Sequence, residues 1–277
     1  MRLIEHHSFG KRKDQDLNED GFFFSEEYAA LIDGCSTYEL IPNTTKSAGL
    51  IAKDLILKSL ATLSPYSTYQ EAFEAFNEAL LNWYDEESQG RDFFQRNPHL
   101  RPGAYAAIVS NARRELWILG DCQALMNNTH YSAPKKVDAL MEELRAFIIE
   151  ALRHEGVSEK TIFENPALVD TFLRPIMAKQ SLFQNSNEKT SFSYPTLDGF
   201  FTDYPSILVI ELPSEPVEIV LASDGYPKLF PTLEESEQYL QEILHSDPLC
   251  YKDFRSTKGL IEGNASFDDR TYLRFIV

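Results

Sequence analysis

Five acidic signatures close apolar runs along this chain: Asn18-Glu19-Asp20, Asp33-Gly34, Gly120-Asp121, Ser223-Asp224-Gly225 and Asp268-Asp269. A carboxylate that directly follows a buried strand tends to sit at a sheet edge, where it can coordinate an ion instead of being lost in the core. Several such ends brought together would form an oxygen-rich pocket for hard divalent cations such as Mg²⁺ or Mn²⁺. Each signature alone also reads as a plain turn, since Asp and Gly favour turns in any context.

The elements that must carry these residues are legible from periodicity. Gly21 to Ser25 and Tyr28 to Ile32 read as two strands joined at Glu26-Glu27. Ala48, Ile51, Ala52, Leu55, Ile56 and Leu60 fall at helical spacing, and Thr68 with Glu71 forms a capping box ahead of Phe73, Phe76 and Leu80. Strands are expected again at Ala104 to Ser110, Glu115 to Leu119 and Cys122 to Met126. Residues 135–155 give the strongest helical pattern, and 166–183 predict a second helix kinked or interrupted at Pro175. A polar loop spans 184–205. Strands return at Ile207 to Leu212 and Val217 to Ala222, then a helix capped by Thr232 and Glu235, then a last strand at Tyr272 to Val277. Groups of strands separated by helices predict antiparallel sheets covered by helices, not a βαβ alternation.

The 277 residues can bury a substantial core, with 43% apolar and 12% aromatic side chains. The net charge of −17 argues against nucleic acid or an anionic membrane surface as a partner. An acidic protein acting on a phosphorylated substrate needs local cations to reverse its field, and bound metal would supply them. Cys35, Cys122 and Cys250 are odd in number and far apart, with neither disulfide nor zinc spacing. Met1 to Lys13 is polar, with no apolar signal segment, and the apolar runs are of strand length, so a cytoplasmic location with no membrane contact is expected. The six histidines show no ligand pair.

With their flanks, the signatures resemble the metal-dependent Ser/Thr protein phosphatases of the PP2C type, in a divergent, bacterial-like form. Asn18-Glu19-Asp20 is similar to the family's Asn-Glu/Gln-Asp opening, and Ala29-Ala30-Leu31-Ile32-Asp33-Gly34 to its "AVADG" strand. Gly103 to Ala107 and Gly120-Asp121-Cys122-Gln123-Ala124 are similar to its small-residue strand and "GDSRA" hairpin. Leu221-Ala222-Ser223-Asp224-Gly225 matches "LASDG", and Asp268-Asp269-Arg270-Thr271 resembles the terminal "DD-x-T". The motifs stand in family order from residue 18 to residue 271.

The resemblance implies an α+β fold, a four-layer α-β-β-α sandwich of two antiparallel sheets flanked by helix pairs. It implies one PP2C-like domain over 1–277, with a divergent helical insert at about 129–205. It implies a hydrolase that cleaves phosphoserine and phosphothreonine esters by attack of a metal-bridging hydroxide, with Asp33, Asp224 and Asp268 as the catalytic core and two Mn²⁺ or Mg²⁺ ions. Asp33 would bridge both ions and the Gly34 carbonyl would bind one. Asp224 and Asp268 would bind the other. Glu19 or Asp20 would act through metal-bound water, and Asp121 would serve a weaker third ion. Asp269 is expected to support the ligands.

Four departures alter that expectation. Cys35 follows Asp33-Gly34 where some members carry a general-acid His. Gln15 replaces the phosphate-binding Arg, which leaves Arg12 or Lys13 as substitutes. Lys228 stands where a third-metal Asp is usual, so a third ion is expected to be weak or missing, with an ammonium beside Asp121 and Asp224. The 129–205 segment does not match the usual flap. Two alternatives stay open: a pseudophosphatase that binds phosphoproteins or acts as a scaffold, and a phosphoesterase for a small phosphorylated metabolite.

Overall fold

The strand that ends at Asp33 shows how the chain builds its site. In the computed structural model, which describes residues 1–37 and 39–277, β3 (Tyr28–Gly34) pairs antiparallel with β2 (Asp20–Phe24) and β4 (Ala104–Ser110). Outward from β4 follow β5 (Glu115–Leu119) and β8 (Leu208–Glu211), so the first sheet runs β2-β3-β4-β5-β8. The second sheet runs β1-β10-β9-β6-β7, from β1 (Arg2–Phe9), β6 (Gln123–Met126), β7 (Thr129–Tyr131), β9 (Glu218–Ala222) and β10 (Arg270–Ile276). Every pairing is antiparallel.

Side chains alternate across a strand, so each central strand feeds two cores. Ala30 and Ile32 of β3 and Ala106 and Ile108 of β4 face α1 (Ala48–Leu60) and α2 (Tyr69–Glu86), which bury Ile56, Leu60, Phe73 and Phe76 against them. Ala29, Leu31, Ala107 and Val109 face the other way. They meet Ala124, Ile219, Leu221, Leu273 and Phe275 of the second sheet. The outer face of that sheet, through Val220, Ala222 and Tyr272, packs on Leu240 and Leu244 of α7 (Leu233–Ser246). The layers are therefore helices, sheet, sheet and helix, the α-β-β-α order expected. The expected capping box forms at Thr68 and Glu71, and the expected cap of the last helix forms as Thr232 accepts from Glu235 N.

Between β7 and β8 lie α4 (Lys136–His154), α5 (Glu159–Glu164) and α6 (Ala167–Met177), with Pro175 held inside α6. These helices have their own apolar cluster, Met141, Ile149, Ile162, Val169 and Leu173, which extends to Leu249 and Tyr251. The buried guanidinium of Arg145 fastens α4 to the segment after α7 by donating to the carbonyls of Leu249, Cys250 and Ser256. A short α3 (Arg91–Arg96) follows α2. Among the described residues, no helix is long and apolar enough to cross a membrane.

Candidate functional site

The acidic signatures gather at one end of the two sheets. Asp20 and Asp33 are cross-strand partners at the start of β2 and the end of β3. Asp121 lies in the tight turn from β5 to β6. Asp224 follows β9, and Asp268 and Asp269 immediately precede β10, which pairs with β9. Asp33, Asp121 and Asp224 line a cleft of about 560 Å³, together with Cys35, Lys135 and Lys258. The segment from β7 into α4 supplies one wall through Ser132, Lys135, Asp138 and Glu142.

Two glycines bring the backbones close enough to make this cluster. A Cβ on Gly34 would stand 2.4 Å from the Gly49 carbonyl oxygen and 2.7 Å from that of Glu19. A Cβ on Gly225 would stand 1.9 Å from the Asp269 carbonyl oxygen and 2.8 Å from Arg270 Cβ. The Asp-Gly pairs are thus packing devices: the first seats β3 on the start of α1, the second seats the Asp224 loop on the Asp268-Asp269 corner. Gly225→Ala is expected to lower unfolding stability by at least about 2 kcal/mol, in the range of overpacked interiors. Urea titration of the purified variant checks this; a change within 0.5 kcal/mol, the usual scatter of surface substitutions, would contradict it.

The electrostatics are those of crowded carboxylates. Burial, then Asp224 and Asp20, pushes the Asp33 carboxyl well above the usual range. Burial raises Asp20 as well, with Asp269, Asp268 and Asp224 adding to the rise and a hydrogen bond with Ser223 opposing it. Asp224 is pushed up to about 7 by burial and by Asp268. Among the described residues, Asp20 Oδ2 and Asp121 Oδ1 are buried without a hydrogen-bond partner. Unpaired, mutually repelling carboxylates are costly to bury unless a cation joins them.

Part of that positive charge is covalently present. Lys11 Nζ reaches Asp268 Oδ1 at 2.9 Å, Asp269 Oδ2 at 3.2 Å and Glu19 Oε2 at 3.4 Å. Lys258 Nζ pairs with the other oxygen of Asp268. Lys135 Nζ lies 3.0 Å from Asp121 Oδ2, 2.9 Å from Asp138 Oδ2 and 3.8 Å from the centre of the Tyr105 ring. Burial works against ionising Asp268, yet Lys258 and Lys11 hold its carboxyl well below the usual range. Burial pushes the Cys35 thiol far up, so it stays protonated.

Two sequence expectations, for Lys228 and for Arg12 and Lys13, are corrected by this placement. Lys228 is exposed and lies over the Phe230 ring, 4.8 Å from its centre, because the chain turns at Asp224-Gly225 and carries it outward. The ammonium beside Asp121 is that of Lys135. Arg12 and Lys13 are exposed. Gln15 explains why: its Oε1 accepts from Gly10 N and its Nε2 donates to Arg12 O, which folds the loop so that Lys11 turns inward. Asp269 is a tie between loops, accepting from Lys11 N at 2.7 Å and Glu19 N at 3.2 Å. Lys11, Lys135 and Lys258 had no sequence signature; each is a lysine in a loop or at a helix start, whose reach depends on the fold.

The residues fit a divalent cation in part. Asp33 and Asp224, the Gly34 carbonyl and the unpartnered Asp20 oxygen are hard-oxygen donors of the kind Mg²⁺ and Mn²⁺ take. Asp268 does not fit as a ligand in the arrangement seen, since both of its oxygens are held by ammonium groups. Among the described residues, no group of three or more His, Cys, Asp or Glu side chains is arranged to hold a metal ion. The carboxylates feel one another's charge without pointing at a common centre.

The chain is similar over its full length to bacterial Ser/Thr phosphatases. The phosphatase PstP/Ppp of Mycobacterium tuberculosis is 16% identical, with a TM-score of 0.48 over 99% of this chain and 98% of that one. A second structure of the PstP catalytic domain, in complex with two manganese ions, gives the same identity and score over 99% and 97%. Stp1 of Staphylococcus aureus is 15% identical, with a TM-score of 0.46 over 100% and 97%. No family model matches the sequence, and no curated protein matches it.

Proposed function

We propose that this protein hydrolyses phosphomonoesters of the phosphoserine and phosphothreonine class with the help of a divalent cation, Mn²⁺ or Mg²⁺, held by Asp33, the Gly34 carbonyl and Asp224. One observation carries the reading: Asp33 from the first sheet, Asp121 from the turn between the sheets and Asp224 from the second sheet line a single cleft, and an oxygen of Asp20, the cross-strand partner of Asp33, is buried and unpartnered behind them. The order of the acidic motifs along the sequence supports it. Because both sheets contribute, the reading takes 1–277 as one functional unit, with 129–205 as an insert that shapes the cleft.

When bound, the cation supplies charge to neutralise phosphoryl oxygens and lowers the pKa of a water molecule. The chain's own residues do the rest. Asp33 and Asp224 would hold the cation, with the buried carboxyl of Asp20 beside Asp33. Lys258 and Lys135, both on the cleft wall, face the phosphoryl group and hold its oxygens in place of the arginine that Gln15 replaces. Tyr105 and Thr196, joined hydroxyl to hydroxyl at 3.1 Å, close the wall and limit water.

Turnover of para-nitrophenyl phosphate and of phosphoserine and phosphothreonine peptides, with and without Mn²⁺, tests the proposal. Mn²⁺-dependent hydrolysis is expected, and Asp33→Asn is expected to lower it by more than the roughly 10–100-fold that outer-shell changes cost. Wild-type turnover no higher than that of Asp33→Asn would sink the enzyme reading. Hydrolysis of small esters alone would move the substrate class to a phosphorylated metabolite.

A second reading is favoured by the two ammonium groups on Asp268: a pseudophosphatase that binds phosphoproteins without cleaving them. Saturable binding of a phosphopeptide with no phosphate release would establish it.

A further inference from the structure

Each oxygen of Asp268 is engaged by an ammonium group. Lys11 takes Oδ1, which also accepts from Asp269 N at 3.0 Å, and Lys258 takes Oδ2. We propose that Lys11 and Lys258 stand where a second divalent ion would act, so that the chain binds one divalent ion, at Asp33 and Asp224, and carries the remaining positive charge of its site as two ammonium groups. This rests on the reading of the cleft as a cation site, and goes beyond it in naming what completes the charge.

The surroundings of Lys11 are those of a bound cation. Three carboxylates, from Asp268, Asp269 and Glu19, lie within 3.4 Å of Nζ, and Ser36 Oγ lies at 3.3 Å. The side chain is only 12% exposed. Its backbone is pinned as well, through Lys11 N to Asp269 Oδ1 at 2.7 Å. Lys11 therefore cannot leave without stranding buried charge, which is why an incoming ion does not displace it. Lys258 is different. It is 37% exposed and lines the cleft, so its ammonium both neutralises Asp268 and faces whatever enters. Its backbone N donates to Ser256 Oγ at 3.2 Å, and Ser256 O is one of the carbonyls tied down by Arg145. The lysine is thereby delivered from a braced loop. An ammonium supplies charge and N–H donors but no vacant coordination position, so Lys258 would serve as a positioning residue for the anion.

Manganese binding to the intact chain decides the matter without any turnover. Isothermal titration of the metal-free wild type with Mn²⁺ alone is expected to give one equivalent. The electron paramagnetic resonance spectrum at saturation is expected to show an isolated ion, with no spin coupling. The Lys11→Met, Lys258→Met double variant is expected to take up a second equivalent and to show coupling between the two ions. Two equivalents with coupling in the wild type would overturn the inference and leave the phosphatase reading standing. One equivalent in a folded double variant would also overturn it, since the lysines would not be what keeps a second ion out. No binding at all would overturn the cation site itself. If the double variant does not fold, the wild-type stoichiometry and spectrum still decide.

Discussion

Arg101→Leu is expected to lower the stability of the fold by about 3–5 kcal/mol, the cost of leaving one partner of a buried ion pair uncompensated. Asp198 is fully buried. Its carboxylate accepts from Arg101 Nη1 at 2.9 Å, Gln184 Nε2 at 2.8 Å, Asn185 Nδ2 at 2.7 Å and Phe200 N at 2.9 Å. Arg101 in turn donates to the carbonyls of Phe94 and Gln95 and lies 4.3 Å from the centre of the Phe200 ring. The pair thus binds the segment 184–200 to the α3 region, and with it Tyr194 and Thr196 of the cleft wall. Denaturant unfolding of the single variant measures the loss. The double variant Arg101→Leu, Asp198→Leu is expected to be less damaged than the single one, because no buried charge is stranded in it. A single variant within about 1 kcal/mol of wild type, the size of an exposed pair, would show that Asp198 is not the hub described.

Without divalent metal, the protein is expected to melt at a higher temperature at pH 5.5 than at pH 7.5. The carboxyls of Asp20, Asp33 and Asp224 are all raised in the folded state, chiefly by burial and then by one another, with Asp224 reaching about 7. Burial and Asp138 raise Glu142 to about 7 as well. Between the ordinary carboxylate range and pH 7, the folded chain therefore holds more protons than the unfolded one, and stability falls as pH rises. His7 opposes this. Its pKa is lowered by burial, so it costs stability in acid, but it is one group against five, since burial raises Asp138 as well. Asp268 is lowered, and its contribution is complete above the ordinary Asp range and lost only in stronger acid. The lysine pairs hold their charge throughout the window. A net loss on the order of 2 kcal/mol corresponds to roughly 5 °C for a chain of this size. Scanning calorimetry of chelator-treated protein at the two pH values tests the sign, and Asp224→Asn should flatten the dependence. Saturating Mn²⁺ should reverse the order, since ligands must be deprotonated to bind it. A metal-free melting temperature that rises from pH 5.5 to 7.5 would refute the crowded-carboxylate account.

The sequence made the frame readable and hid the charges that complete it. Ala104–Ser110 and Glu115–Leu119 are strands with the bounds their apolar runs suggested, because both are buried on two faces and leave no ambiguity of register. Thr68 with Glu71 and Thr232 with Glu235 announce their helices through local chemistry. Carboxylates at strand ends are equally local, so Asp20, Asp33, Asp224 and Asp268 could be picked out in advance. Lysine partners are not local. Lys11 meets residues more than 250 positions away, and Lys258 reaches its partner through a loop braced by Arg145. Lys228 misled for the converse reason: its spacing from Asp224 suggested a neighbour, while the turn between them sends it to solvent. The short helix Glu159–Glu164, between the two longer helices expected there, and the three-residue strand Thr129–Tyr131 are too brief to show a period.

The position of β10 also bears on how the molecule is made. It lies between β1 and β9, the first strand of the chain and the last but one, and Asp268 and Asp269 stand just before it. During synthesis from the N-terminus, β1 therefore waits for a partner until residues 270–276 have emerged, and the inner apolar face of the second sheet stays incomplete as long. Lys11 waits too, with no carboxylates from that corner to receive it. A nascent chain stalled before residue 268 would carry the first sheet and its helices but neither a closed sandwich nor a charge-balanced cleft. Strand β10 thus joins the first strand of the fold to the rest of its sheet and brings the carboxylates that balance Lys11.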